Sequence, residues 1–303
     1  MPCFNAAPYV KEAVRSALGQ SHGNVELVVV DDGSTDGSKA VLATLAAAHP
    51  GRLRLLHSGH LGPYPARNFA LRHARGEYIA FLDADDWWHP EALDKLRRAL
   101  VEHNADVAYC GWQNVGEGVE MPPYVPPAYE DEDTVAHFMR NCPWPIHAAL
   151  VKREITLEVD GFSERRFASM DYDFWLRVLA VTRRIKRVPE VLAFYRWHNL
   201  GQVSAVKWRQ TLDALVAQQD FIRNNPHLVA HLAAERLRDL TEGQVLRQAY
   251  RAFWERDLVS AQKLFRHAAR TGTYHVGDLR HVVSALLPMP LYRRLVTVAD
   301  ARK

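Results

Sequence analysis

Tyr78-Ile79-Ala80-Phe81-Leu82-Asp83-Ala84-Asp85-Asp86-Trp87-Trp88 decides how this chain is read. Its first half is apolar and rich in strand formers, the pattern of a strand buried on both faces. Its second half crowds three carboxylates, at Asp83, Asp85 and Asp86. Carboxylates so close repel one another unless a cation or a proton intervenes. Open α/β sheets bind ligands at the carboxyl ends of their strands. An Asp-x-Asp step sets two hard oxygen ligands on one side of an extended backbone, which suits Mg²⁺ or Mn²⁺ held between protein and a substrate phosphate. The same residues also read as the acidic start of a helix, because His89-Pro90-Glu91-Ala92 follows and Asp86 is placed to cap it. The two readings are compatible if Asp86 caps while Asp83 and Asp85 face a ligand.

Upstream, Val25-Glu26-Leu27-Val28-Val29-Val30 is a second β-prone run. It ends in Asp31-Asp32-Gly33-Ser34-Thr35-Asp36-Gly37-Ser38, an acidic and Gly/Ser-rich loop that opens a helix. Such a loop offers a ligand both backbone N–H groups and carboxylates, and it also serves as a plain strand-to-helix turn. Neither a Gly-x-Gly-x-x-Gly fingerprint nor a Gly-Lys-Ser/Thr P-loop is present. A third strand, Arg52–His57, leads to a helix carrying Ala66-Arg67-Asn68. Arg67 sits early in that helix, where the macrodipole disfavours a cation, so it reads as an anion or base contact. Downstream come a helix from Pro90 and the strand Asp106–Trp112. Four strand–helix alternations predict a largely parallel sheet covered on both faces.

After a Pro-rich loop, Cys142-Pro143-Trp144-Pro145-Ile146-His147 precedes another strand. A helix then carries Asp171-Tyr172-Asp173-Phe174-Trp175-Leu176-Arg177, and the strand Ala193–His198 closes this half. From about Ala205 the pattern is helical throughout. The charge shifts at the same place: residues 205–303 hold 16 Lys+Arg against 9 Asp+Glu, whereas the rest of the chain is mildly acidic. A basic helical tail suits an anionic partner such as a membrane surface, or is simply a solvated face. Leu286–Leu295, apolar with basic flanks, either lies on a membrane or packs on the body. At 303 residues with 48% hydrophobic content the chain is ordinary globular material. Its three scattered cysteines fit no disulfide framework and no zinc site, and they suit a reducing cytosol.

Five stretches occur in an order that carries more than any one of them. These are Pro2-Cys3-Phe4-Asn5, Val30–Asp36, Ala66-Arg67-Asn68, Arg75–Asp86 and Asp171–Arg177. Together they resemble family 2 inverting glycosyltransferases over residues 1–204. The resemblance implies a GT-A-type, mostly parallel nucleotide-sugar-binding sheet covered by helices, here followed by an all-α C-terminal region at 205–303. It implies a nucleoside-diphosphate-sugar donor, a glycan or glycolipid acceptor, a Mg²⁺ or Mn²⁺ cofactor and no nucleic-acid partner. Such enzymes work in the cytoplasm or at the inner face of the plasma membrane, commonly on cell-surface polysaccharide or lipid-linked precursors.

On the matching positions, Pro2, Phe4 and Asn5 line the nucleotide pocket and Asp32 accepts a hydrogen bond from the base. Arg67 contacts the nucleotide, Asp83 lies near the ribose, Asp85 ligates the metal and His198 reaches metal or pyrophosphate. Asp171 is the general base. Met170 stands where the family usually has a glutamate. Trp144, His147, Arg165, Arg166 and Trp197 are expected on the acceptor side, because aromatic faces stack on sugars and arginines hold anionic groups. A further departure is expected at the N-terminus: the family's central first strand precedes the Phe-Asn turn, and here that turn follows Met1 directly. The expectation is a reading frame that begins upstream, or a truncated and poorly stable chain. The reading from a different class is a non-catalytic nucleotide-sugar-binding protein or scaffold acting through the C-terminal helices.

Overall fold

The computed structural model describes residues 1–164, 168–198 and 206–300. In chain order the first elements are β1 (Pro2–Cys3), α1 (Val10–Leu18), β2 (Leu27–Asp31), α2 (Ser38–Ala48), β3 (Leu53–His57) and α3 (Pro63–His73). Then come β4 (Tyr78–Ala80), β5 (Trp87–Trp88), α4 (Ala92–Glu102), β6 (Val107–Val115), α5 (Thr134–Arg140), β7 (Ala149–Lys152) and α6 (Arg153–Glu158). Helix α7 (Met170–Val181) and the long β8 (Ile185–Arg196) complete the α/β body. Helices α8 (Lys207–Asn224), α9 (Pro226–Val229), α10 (Ala234–Leu240), α11 (Glu242–Trp254), α12 (Leu258–Thr271), α13 (Leu279–Ser284) and α14 (Met289–Asp300) follow.

Strands β1, β2 and β3 pair in parallel, in that order. The other five lie in the order β4-β7-β6-β8-β5, where only β6 and β8 run parallel. Each parallel pair is joined through at least one helix, as crossover connections require. The antiparallel strand β7 enters from the Pro-rich segment, which the strand–helix alternation did not cover.

The strand expected to be missing is represented by the two residues of β1, paired with Val30 and Asp31. Behind it the Met1 amine donates to the Val28 carbonyl at 2.9 Å. That amine is buried, which pushes its pKa down to about 5. A cavity of about 840 Å³ lies alongside, lined by Met1, Val28, Leu71, Ile79, Phe81 and Leu93 among others.

Two apolar cores divide the molecule. The larger runs through the α/β body and takes in Ala217, Phe221, Leu228 and Leu240 from the helical region. The smaller joins α8 and α11–α14 around Leu215, Val245, Leu264, Phe265 and Tyr292. Helix α8 therefore serves both. Its Gln218 donates to the Met139 carbonyl (2.6 Å) and to the Tyr172 hydroxyl (3.1 Å), tying it to α5 and α7.

Candidate active site

Strand β4 ends at Ala80, so the acidic residues sit on a turn just past it, closed by the Asp86 N–H donating to the Asp83 carbonyl at 3.2 Å. Asp86 does not cap a helix. It is 2% exposed and accepts from the Arg196 N–H (2.8 Å), and its second oxygen stands 3.2 Å from His147 Nδ1. This latch fixes the acidic turn to the end of β8. Arg196 Nε adds a bond to the Asp85 carbonyl at 2.8 Å. Two residues further, His198 Nε2 meets Asp85 Oδ2 at 2.9 Å.

The other side of the turn is met by Arg67, from the first half of α3, whose paired prolines Pro63 and Pro65 suit a helix start. Arg67 is 4% exposed and bonds Asp83 Oδ1 at 2.5 Å and Asp171 Oδ1 at 3.4 Å. Its guanidinium also lies over Tyr64 and Phe162, 5.2 and 5.5 Å from the ring centroids. The next residue, Asn68, exchanges two hydrogen bonds with the Phe162 backbone. The Ala-Arg-Asn motif thus puts one side chain on the acids and the other on the turn beneath them.

Asp171 stands in the first turn of α7, where the helix dipole favours its anion. Surrounding protein works the other way and outweighs both the dipole and Arg67, pushing its pKa up to about 6. Its side chain keeps 30% exposure, so it faces the cleft. Met170, at the place of the usual glutamate, is fully buried. Burial and the neighbouring Asp83 charge also push Asp85 above the usual carboxylate range.

Asp83 and Asp85 stand two residues apart on this turn, and a divalent cation would relieve the repulsion between their carboxylates. Among the described residues no group of three or more His, Cys, Asp and Glu closes a metal site with protein ligands alone. Mg²⁺ and Mn²⁺ sites keep several waters and take one or two carboxylates from the protein, the rest coming from substrate phosphates.

The loop after β2 is organised differently. Asp32 is 2% exposed and accepts from Ser58 Oγ (2.7 Å), the Leu61 N–H (2.8 Å) and the Gly62 N–H (2.7 Å). Asn5, with φ of 49°, accepts from the Thr35 N–H at 2.8 Å and so ties the β1 turn to the Gly/Ser loop. Phe4 is 44% exposed, with its ring 4.2 Å from His60. Pro2 is buried in β1.

The profile of "Glycosyl transferase family 2" matches residues 1–166, more than half of the chain. The chain belongs to glycosyl transferase family 2. Among curated relatives of this family 2 chain is the putative teichuronic acid biosynthesis glycosyltransferase TuaG of Bacillus subtilis (strain 168). It is 29% identical over 212 residues, 69% of this chain and 81% of the relative. The uncharacterized glycosyltransferase EpsJ of the same organism is 27% identical over 232 residues, 72% of this chain and 66% of the relative. Two solved structures share the fold. S. aureus TarS 1–349 in complex with UDP-GlcNAc superposes with a TM-score of 0.62 at 17% identity, over 94% of this chain and 88% of that one. The mannosyltransferase PcManGT from Pyrobaculum calidifontis, in complex with GDP-Man and Mn²⁺, gives 0.60 at 22% identity, over 98% and 81%.

The structure brings together Arg67, Asp83, Asp85, Asp171 and His198 of this glycosyltransferase. It does not bring Trp144 or His147 to an acceptor surface. Trp144 is 1% exposed, stacked on Tyr109 at 4.2 Å and edge-on to Trp175, so neither face of its ring is open to a sugar. His147 is likewise 1% exposed, between Asp86 and Tyr195, and burial holds its pKa down at about 4. Trp197 remains 42% exposed, with Nε1 donating to Asn114. Arg165 and Arg166 lie outside the described residues. Sequence reasoning missed Tyr9 and Arg196. Tyr9 stacks on His198 at 4.9 Å, and Arg196 spans Tyr9 and Trp87. Their signal was present as Tyr-Arg-x-His and an aromatic after the Asn5 turn, but only the fold joins residues so distant in sequence.

Proposed function

We propose that this glycosyltransferase is inverting and metal-dependent, moving a sugar from a nucleoside diphosphate to an acceptor hydroxyl with Asp171 as general base. The observation that carries the reading is the convergence of Asp171, Arg67 and Asp83 on one cleft, beside Asp85 and His198. The acceptor oxygen forms its bond to the anomeric carbon as the bond from that carbon to the diphosphate oxygen breaks. The hydroxyl proton passes to the Asp171 carboxylate, and the electron pair leaves with the nucleoside diphosphate. A base with a pKa near 6 is well matched to this role at neutral pH. Attack from the face opposite the leaving group inverts the anomeric carbon.

Asp83 and Asp85 would hold the divalent cation, which supplies compensation for the charge developing on the diphosphate. Arg67 positions Asp171 and Asp83 relative to one another. Asp32 shapes the nucleotide loop and keeps an acceptor position for the base, and Pro2, Phe4 and Asn5 form the neighbouring wall. Trp197, with Arg165 and Arg166, is assigned to the acceptor. A role in cell-surface polysaccharide or glycolipid assembly is supported by the name of the TuaG relative, and the place of work is assigned to the reducing cytoplasm. The reducing compartment agrees with the free cysteines.

The test is a thermal-shift screen of UDP-, GDP- and dTDP-sugars with and without Mn²⁺, followed by product analysis. A ligand that binds only the folded state raises its melting temperature. The reading expects a Mn²⁺-dependent rise with one donor class and an inverted product that Asp171→Asn does not form. A retained anomeric configuration, or undiminished turnover by Asp171→Asn, would overturn it.

A further inference from the structure

The C-terminal helices leave an apolar surface uncovered. Helix α14 buries Tyr292 and Val296, while Leu291, Leu295 and Val298 stay 46–51% exposed at spacings of four and three, one stripe along the helix. Around α13, Val276, Leu279, Val283 and Leu286 follow spacings of three, four and three and are 84%, 40%, 58% and 58% exposed. These 7 side chains are a third of the 21 exposed large apolar residues among the described residues, concentrated between 276 and 298. Such a concentration marks an interaction surface.

The charge around it selects the partner. Residues 258–303 carry 8 Lys+Arg against 2 Asp+Glu. One of those acids, Asp278, is engaged by the Tyr250 hydroxyl and the His275 N–H. Arg280 and Arg294 are exposed, and by the helical repeat each lies next to the stripe of its own helix. Arg266 caps the carbonyls of Ala285 and Leu287 and so holds the turn between the two helices. A second copy of the chain would bring the same positive charge against this one. A bilayer with anionic headgroups accepts both the apolar stripe and its basic rim.

We infer that residues 276–298 form a docking face for an anionic lipid bilayer, with Leu291, Leu295 and Val298 entering the headgroup boundary and Arg280 and Arg294 meeting lipid phosphates. This goes beyond the proposed transfer chemistry and does not depend on it. The experiment is flotation of the full chain with phosphatidylcholine vesicles, with and without phosphatidylglycerol, at low and high salt. The expected result is binding that needs phosphatidylglycerol and weakens with salt. Arg280→Ser/Arg294→Ser is expected to weaken it roughly 30-fold, at about 1 kcal/mol per basic residue near the surface. Leu291→Glu/Leu295→Glu should abolish it without lowering the melting temperature, because both side chains are half exposed. If that variant melts early, the arginine pair decides. No binding, equal binding to neutral vesicles, or unchanged binding by the variants would overturn the inference. So would a lipid-free dimer that the leucine substitutions dissolve.

Discussion

Two acidic turns, Asp31-Asp32 after β2 and Asp83–Asp86 after β4, look alike in sequence and do opposite things in the structure. Asp32 has three donors fixed on it by the 58–62 loop, and its charge is consumed locally. Among the described residues Asp85 and Asp83 have instead one cationic or titratable partner each, and burial with mutual repulsion leaves Asp85 short of compensation. A carboxylate with most of its acceptor sites taken by three donors stabilises a loop, whereas one left under-compensated beside a cleft is available to a ligand. Asp86 shows that the distinction works residue by residue, since it belongs to the second turn and is locked into structure.

The largest effect expected is on chemistry. Asp171→Asn should lower kcat by about 10²–10⁴, the usual share of a general base, while sparing donor affinity measured by calorimetry. The native fold raises the Asp171 pKa, so this group's favourable contribution is present at low pH and is lost as pH rises through about 6. Asp171→Asn should therefore melt no lower than wild type at pH 7, which separates a base from a scaffold residue.

Asp32→Ala sharpens the contrast from the other side. It takes the acceptor from two partly buried N–H donors and should cost about 2 kcal/mol in urea unfolding, where Asp85→Asn should cost nothing measurable. A smaller effect concerns pH. The rate kcat/KM should climb along an acid limb centred near 6 and level off at neutral pH, as Asp171 loses its proton. A flat profile between pH 5 and 7 would remove Asp171 from the step. Smallest of all, Trp197→Ala should raise the acceptor KM several-fold with the melting temperature unchanged, in keeping with its exposed ring.

The five ordered motifs made the α/β body and the Arg67–Asp83–Asp85–Asp171 constellation legible in the sequence. Each motif ends a strand or opens a helix, and such positions meet at one edge of an α/β sheet. What escaped was the long-range pairing. Trp144 reads as an acceptor-side ring, yet it packs against Tyr109 and Trp175, because irregular backbone can be buried when its large rings fill a core. Asp86 reads as a cap until the Arg196 amide, 110 residues away, is seen to claim it. The C-terminal boundary was visible as a change of composition, but not that α8 would serve both cores.

The most direct measurement is calorimetric titration of a nucleoside diphosphate into wild type, Asp85→Asn and Asp32→Asn, each with and without Mn²⁺. The account predicts that Mn²⁺ strengthens binding to wild type and to Asp32→Asn, whatever the latter loses in stability, and has no effect on Asp85→Asn. Undiminished Mn²⁺ dependence in Asp85→Asn would contradict it.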